Sequence, residues 1–431
     1  MSPRTLDELV SILGQLRLVD SKLLLRCSGE LPPGSSPDAL LALLESQNAL
    51  TPFQIERLRK GDTDGLVLGG YKLLYRNASG SFARVFRACS IDDDRMIGLK
   101  VLRERWSTDA DMVRLFHREG DIGQKLKHPN IVPVFGAFEQ GAYHFIAMEF
   151  VEGGNLRDFL KIRGKLSAEE ACRYGLHMAQ ALEYALRLGI THRDLKMTNV
   201  LMSTQGMARL IDFGLAADDR LLSRLGTSDL QQAVEYTTLE RGTGAPSNDP
   251  RSDLFFLGVI LYELLSGEPP YQRTRDREER KRFSRYRDVR PVTATEPSVP
   301  RRVASIVDRL LRITPQERHQ SPSELAADLR GALGEMGHAL TGSNGDAAAT
   351  VMCVEDRPQQ QDLLRQYLSK HGFRVLLVND VERALGRVKQ SPPACVVLMG
   401  ESIGDRAADD FHKVLSVEAR QARSRRAGAR H

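Results

Sequence analysis

Leu6, Leu9, Val10, Leu13 and Leu16 recur at steps of three or four residues, and Leu40, Leu41, Leu43 and Leu44 form a second such set. That period gathers apolar side chains on one helix face, so the first stretch of chain reads as helical. Between the two sets, Leu31-Pro32-Pro33-Gly34-Ser35-Ser36-Pro37 is a loop by composition, and Ser36-Pro37-Asp38 has the form of a helix start. Thr51-Pro52 begins a further helix through Leu58. From Leu66 the pattern turns to short strand-like runs: Leu66-Val67-Leu68, Tyr71 to Tyr75, Val85 to Ala88 and Ile97 to Leu102. Helical spacing returns over Ser167 to Arg187, Asp253 to Leu265 and Arg301 to Arg312. A sheet-rich unit therefore precedes a helix-rich one.

A third pattern begins after Thr341-Gly342-Ser343-Asn344-Gly345-Asp346, which reads as linker. Val351 to Val354 is a strand ending in the acids Glu355 and Asp356. A helix through Leu363, Leu364 and Leu368 follows, then strands over Phe373 to Val378 and Ala394 to Met399. The order is βαβαβ. These shifts divide the chain into a helical region 1–65, a large unit 66–337, a linker 338–349, a small α/β unit 350–415 and a basic, disordered tail 416–431 rich in arginine.

At 431 residues, two or three folded units are expected, and a 41% hydrophobic content suffices for packed cores. A net charge of +5 is mild and does not by itself mark a nucleic-acid binder, so such a partner is not expected. Cys27, Cys89, Cys172, Cys353 and Cys395 are scattered without a CxxC pair, which argues against a disulfide framework and against a zinc site. Asp7, Glu8 and Arg17 interrupt any leader-like apolar run. The apolar stretch Leu254 to Leu265 carries Glu263 and is too short to span a bilayer. No membrane span and a cytoplasmic location are the expectations.

The chemistry concentrates in His192-Arg193-Asp194-Leu195-Lys196-Met197-Thr198-Asn199, followed by Asp212-Phe213-Gly214. A carboxylate, a lysine, an amide and a second carboxylate at these spacings suit phosphoryl transfer. Asp194 would take the proton of an attacking hydroxyl, and Lys196 would offset charge on the transferred group. Asn199 and Asp212 would hold Mg2+.

From these ordered motifs the chain resembles bacterial serine/threonine protein kinases of the eukaryotic-like, Hanks type. The resemblance implies an α+β bilobal fold: a first lobe of antiparallel sheet plus one helix, and a helical second lobe. It also implies ATP as phosphoryl donor and protein serine or threonine as acceptor. In Ile97-Gly98-Leu99-Lys100, Lys100 corresponds to the lysine on the α- and β-phosphates, with Glu119 of Phe116-His117-Arg118-Glu119 as its partner. Met148 would line the back of the adenine pocket. The backbone at Glu149 and Val151 would bond the adenine edge, and Leu201 would form its floor. Lys196 favours serine/threonine over tyrosine.

The phosphate-covering loop departs from the family. Ala78-Ser79-Gly80-Ser81-Phe82-Ala83-Arg84-Val85 keeps only Gly80 of three glycines, together with Val85, so weakened nucleotide affinity is expected. The alternative is a scaffold of the pseudokinase type that binds partners without efficient transfer. Autophosphorylation is expected within 215–238, where Ser223, Thr227, Ser228, Thr237 and Thr238 are candidates and Arg193 a phosphate partner. Glu240 is expected to pair with Arg318, and Asp253 to bond the catalytic-loop backbone. The arginine-rich stretch Arg273 to Arg290 reads first as a solvated loop and second as a dock for acidic substrates. The small unit resembles a response-regulator receiver, but its acceptor position falls on Met399, whose thioether cannot take a phosphoryl group. It is therefore read as degenerate and truncated. Oligomeric state is left open.

Overall fold

The computed structural model describes residues 3–80, 82–213, 231–274, 276–337, 350–355, 357–370, 373–390 and 393–398. Four helices open the chain: α1 (Leu6–Gln15), α2 (Ser21–Glu30), α3 (Pro37–Ser46) and α4 (Pro52–Arg59). Each has a polar cap on its first turn. Thr5, Asp20 and Ser36 accept from backbone amides, and Thr51 with Gln54 forms a reciprocal capping box. Leu9, Leu13, Leu40, Leu41 and Leu44 are fully buried in their shared core. Helix α2 was not anticipated: Leu23-Leu24-Leu25 is a contiguous triplet without helical period, and Leu25 is left exposed. The bundle rests on the following sheet. Thr51 Oγ1 donates to the Leu74 carbonyl at 2.8 Å, and Gln54 Nε2 to that of Leu73 at 2.9 Å.

The sheet is six-stranded and antiparallel, in the order β1-β2-β3-β4-β6-β5: β1 (Val67–Leu68), β2 (Tyr71–Ser79), β3 (Ala83–Ser90), β4 (Met96–Leu102), β5 (Val134–Gln140) and β6 (Tyr143–Glu149). Helix α5 (Ala110–Lys125) crosses it between β4 and β5. Gly120 and Gly123 permit that approach, because a Cβ on either would lie 2.6 Å from Ala137 Cβ or Val134 Cγ2. This contact fixes the height of Glu119, one residue before Gly120.

The second lobe is helical: α6 (Leu156–Arg163), α7 (Ala168–Arg187), α8 (Gln231–Thr243), α9 (Pro250–Ser266), α10 (Arg301–Leu310) and α11 (Pro322–Glu335). The hairpin β7 (Val200–Met202) and β8 (Ala208–Leu210) faces the sheet lobe. Leu254, Phe255, Leu257, Leu310, Leu325 and Leu329 are among the fully buried residues of its core. The architecture is α+β and bilobal. Helix α8 holds Thr237 and Thr238, two of the candidates for autophosphorylation; Thr238 Oγ1 donates to the Val234 carbonyl at 2.7 Å. Ser223, Thr227 and Ser228 lie outside the described residues.

The C-terminal unit is a three-stranded parallel sheet ordered β10-β9-β11: β9 (Thr350–Val354), β10 (Arg374–Val378) and β11 (Cys395–Leu398). Helices α12 (Pro358–Lys370) and α13 (Val381–Gln390) make the crossovers. Glu355 is fully buried and accepts from Arg357 Nε at 2.9 Å, so one acid of the expected pair is already engaged. Asp356, Met399, the linker and the basic tail lie outside the described residues. The unit lies against both lobes' junction. Arg387 Nη1 is 2.6 Å from Glu152 Oε1, and Arg374 covers Gly206 in the β7–β8 turn. No described helix is long and apolar enough to cross a membrane.

Candidate active site

Strand β4 places Lys100 inward, beside Val85 of β3 and Ile146 of β6. Its Nζ lies 2.5 Å from Glu119 Oε1 and 3.0 Å from Asp212 Oδ1. All three elements, sheet, helix α5 and the segment after β8, thus meet at one ammonium. Burial works against the charge of Lys100, but Asp212 and Glu119 outweigh it and hold the group above its ordinary pKa. Two carboxylates sharing one cation cannot be equal. Burial pushes Glu119 up to about 8, against the pull of Lys100. Burial also opposes ionisation of Asp212, yet Lys100 holds it below its ordinary value.

The loop before β7 gathers the second group. Lys196 Nζ lies 2.8 Å from Asp194 Oδ2, and Asn199 Nδ2 donates to that oxygen at 2.7 Å and to the Asp194 carbonyl at 2.9 Å. With its amide nitrogen committed, Asn199 has its carbonyl oxygen left for a cation. That oxygen and the Asp212 carboxylate are hard donors that suit a divalent ion of the magnesium type. Asp253, on the first turn of α9, accepts from the His192 and Arg193 amides at 2.9 Å each, as expected, and from Tyr236 Oη at 2.7 Å. The loop needs this support: Arg193 and Asp212 both have left-handed backbone, φ 58° and 62°, which non-glycine residues adopt at a cost of about 1–3 kcal/mol each. His192 is fully buried, and burial lowers its pKa. It packs against Phe213 with ring centroids 4.5 Å apart.

At the segment joining the lobes, Met148 is buried with Phe82, Ile146 and Val132, while Val151, Leu201 and Ile211 pack against the same cluster. Val85 is half-buried on the facing strand. The side chain of Glu149 has a task the sequence did not reveal: it takes both arms of Arg209 on β8, at 2.5 and 3.2 Å, and fastens the junction to the second lobe. Gly80 closes the β2–β3 turn, its amide donating to the Ala83 carbonyl at 3.0 Å. Arg103 reaches it from the end of β4, with Nε 2.6 Å from the Gly80 carbonyl and Nη2 2.8 Å from Ser79 Oγ. The missing glycines are thus met by a side-chain brace on the loop. Ser81 and Gly214 lie outside the described residues.

One expected contact is replaced. Glu240 meets Arg193 at 3.5 Å and not Arg318. Arg318 donates instead to the Arg251, Arg312 and Ile313 carbonyls and lies over the Phe255 ring at 4.9 Å. Arg193 also donates to Asn248 Oδ1 at 2.7 Å. The arginine-rich stretch is not simply solvated. Arg280 pairs with Glu235 at 2.8 Å, Arg273 pairs with Glu263, and Arg285 lies over Tyr271. With Lys196 and Thr198 these residues border a cavity of about 600 Å³ on the substrate side of the catalytic loop.

A family model described as a protein kinase domain matches residues 77–328, more than half the chain. This chain belongs to the protein kinase family. Among the proteins it is similar to are bacterial serine/threonine-protein kinases. PrkC of Bacillus subtilis is 29% identical over 267 residues, covering 61% of this chain and 40% of that protein. PknB of Mycobacterium tuberculosis is 32% identical over 260 residues, covering 58% and 41%. The crystal structure of the Mycobacterium tuberculosis PknI kinase domain covers 62% of this chain and 97% of that one, with 24% identity and a TM-score of 0.48. The chain spans about two fifths of the length of the curated relatives it matches. Family membership implies ATP use and typically a divalent metal.

Proposed function

We propose that this chain is an ATP- and magnesium-dependent kinase that phosphorylates serine and threonine hydroxyls of proteins, itself included, in the cytoplasm. One observation carries the reading: Lys100, Glu119 and Asp212 form one bonded group, and Asp194, Lys196 and Asn199 another, near enough that the charge of Lys196 acts on Asp212. Asp194 orients the attacking hydroxyl and takes up its proton, leaving the oxygen free to attack phosphorus. Lys196, now neutralising Asp194, offsets charge on the transferred group. Lys100 holds the α- and β-phosphates, and Glu119 keeps it aimed. Asn199 and Asp212 would hold the metal, which would neutralise charge developing on the phosphates. The backbone at Glu149 and Val151 seats the adenine, with Val85 above, Leu201 below and Met148 behind. Gly80 covers the phosphates. The arginines bordering the substrate-side cavity are mostly paired with Glu235 and Glu263, so they shape that site more than they supply net charge.

The C-terminal unit we read as receiver-like and inert as a phosphoacceptor. Its strand order places the first strand centrally, and Arg357 occupies Glu355. Radiolabel transfer from ATP to the chain or to a generic basic protein tests the kinase reading. Asp194→Asn should lower incorporation by about 10²–10⁴-fold, the usual contribution of such a base. Equal incorporation by both proteins refutes it, and a Mg-ATP thermal shift without incorporation favours the scaffold.

A further inference from the structure

His117, Glu139 and His144 converge away from the catalytic cleft, where helix α5 crosses the β5–β6 hairpin. Glu139 and His144 are register partners across that hairpin, so their side chains leave the same face of the sheet. His117 comes down on them from the helix. His117 Nε2 lies 3.1 Å from His144 Nδ1, Glu139 Oε2 lies 3.9 Å from the same nitrogen, and all three ligand atoms fall within 4.8 Å of one another. The two imidazoles stand edge-on, at 84° with centroids 5.2 Å apart, so the rings do not stack and the two nitrogens face each other.

These distances fit a tetrahedral metal. With metal–nitrogen bonds of 2.0–2.1 Å, ligand atoms sit about 3.3 Å apart, close to the observed separation of the two nitrogens. The Glu139 carboxylate is 75% exposed, so a rotamer change brings its oxygen the remaining distance. Two imidazoles, which are borderline donors, joined by one carboxylate make a His2Glu set that zinc takes, unlike the all-oxygen set at Asn199 and Asp212. Cysteine spacing, which argued against zinc, is silent about such a set, because its members are 22 and 5 residues apart and meet only through the fold. We propose that His117, Glu139 and His144 form a zinc-class transition-metal site pinning helix α5 to the sheet, with water in the fourth position.

The test uses the full chain, stripped with a chelator and titrated with Zn2+ against a chromophoric competitor, with Co2+ absorption reporting coordination geometry. One tetrahedral ion per chain and a raised melting temperature are expected. Glu139→Gln and His144→Gln should each weaken binding by at least about tenfold, since even outer-shell changes commonly cost that much. Asp212→Asn should leave it unchanged, which separates this site from the nucleotide site and from the kinase reading. Glu139 is exposed, so its variant keeps the fold if His144→Gln does not. Binding that is absent, unchanged in Glu139→Gln, or lost in Asp212→Asn overturns the proposal.

Discussion

Glu240 shows how a single side chain can set a pH response. It is almost fully buried against Arg193, and burial pushes its carboxyl up to about 7 despite that cation. The folded chain therefore holds this proton after the unfolded chain, with its ordinary value of 4.5, has released it. Stability supplied by the protonated form is complete below that ordinary value, falls as pH rises through the window, and is fully lost above about 7. Denaturant midpoints of wild type and Glu240→Gln, compared at pH 5 and pH 8, should diverge by on the order of 2 kcal/mol in favour of the variant at the higher pH. A constant difference would show that Glu240 does not titrate there. The catalytic residues were legible because most of them lie on one short loop, and Lys100 with Glu119 because strand and helix spacing is regular. Arg318 was not, since its partners are backbone carbonyls whose positions depend on where α9 starts and α10 stops.

Among elements, α9 crosses α10 at close range. Gly258 allows it: a Cβ there would lie 2.6 Å from Leu310 Cβ and 3.3 Å from Leu311. Both contacts belong to packed core, where neither helix can yield cheaply. Gly258→Ala should lower stability by about 1–3 kcal/mol in chemical denaturation, the usual cost of overpacking, although alanine is the better helix former. A gain in stability would mean that the helices separate freely. Elements with clear apolar period, such as α1, α3 and α7, were readable from the chain. Strand β2 runs on to Ser79, past its apolar part, because pairing with β3 and not burial sustains it there. Helix α8 was missed because Gln231–Thr243 has almost no apolar face; packing of Tyr236 and Leu239 into the second-lobe core holds it.

For the molecule as a whole, the bilobal plan followed from the switch between strand and helix periods, whereas the seating of the C-terminal sheet left no trace in either pattern. That seating rests on long side chains, Arg374 over Gly206 and Arg387 on Glu152. Hydrogen exchange comparing the full chain with residues 1–337 should show faster exchange at 152–154 and 202–206 in the shorter protein. Identical protection would mean that the sheet does not dock in solution. Glu152 follows directly on the strip of chain that joins the lobes, and Gly153 beside it lies so close to the Met202 carbonyl that no side chain would fit. An arginine gripping that carboxylate is therefore attached beside the join of the cleft. To the extent that releasing Arg387 alters how easily the cleft opens, a nucleotide that shuts the cleft shifts the hold on Arg387 by the same free energy.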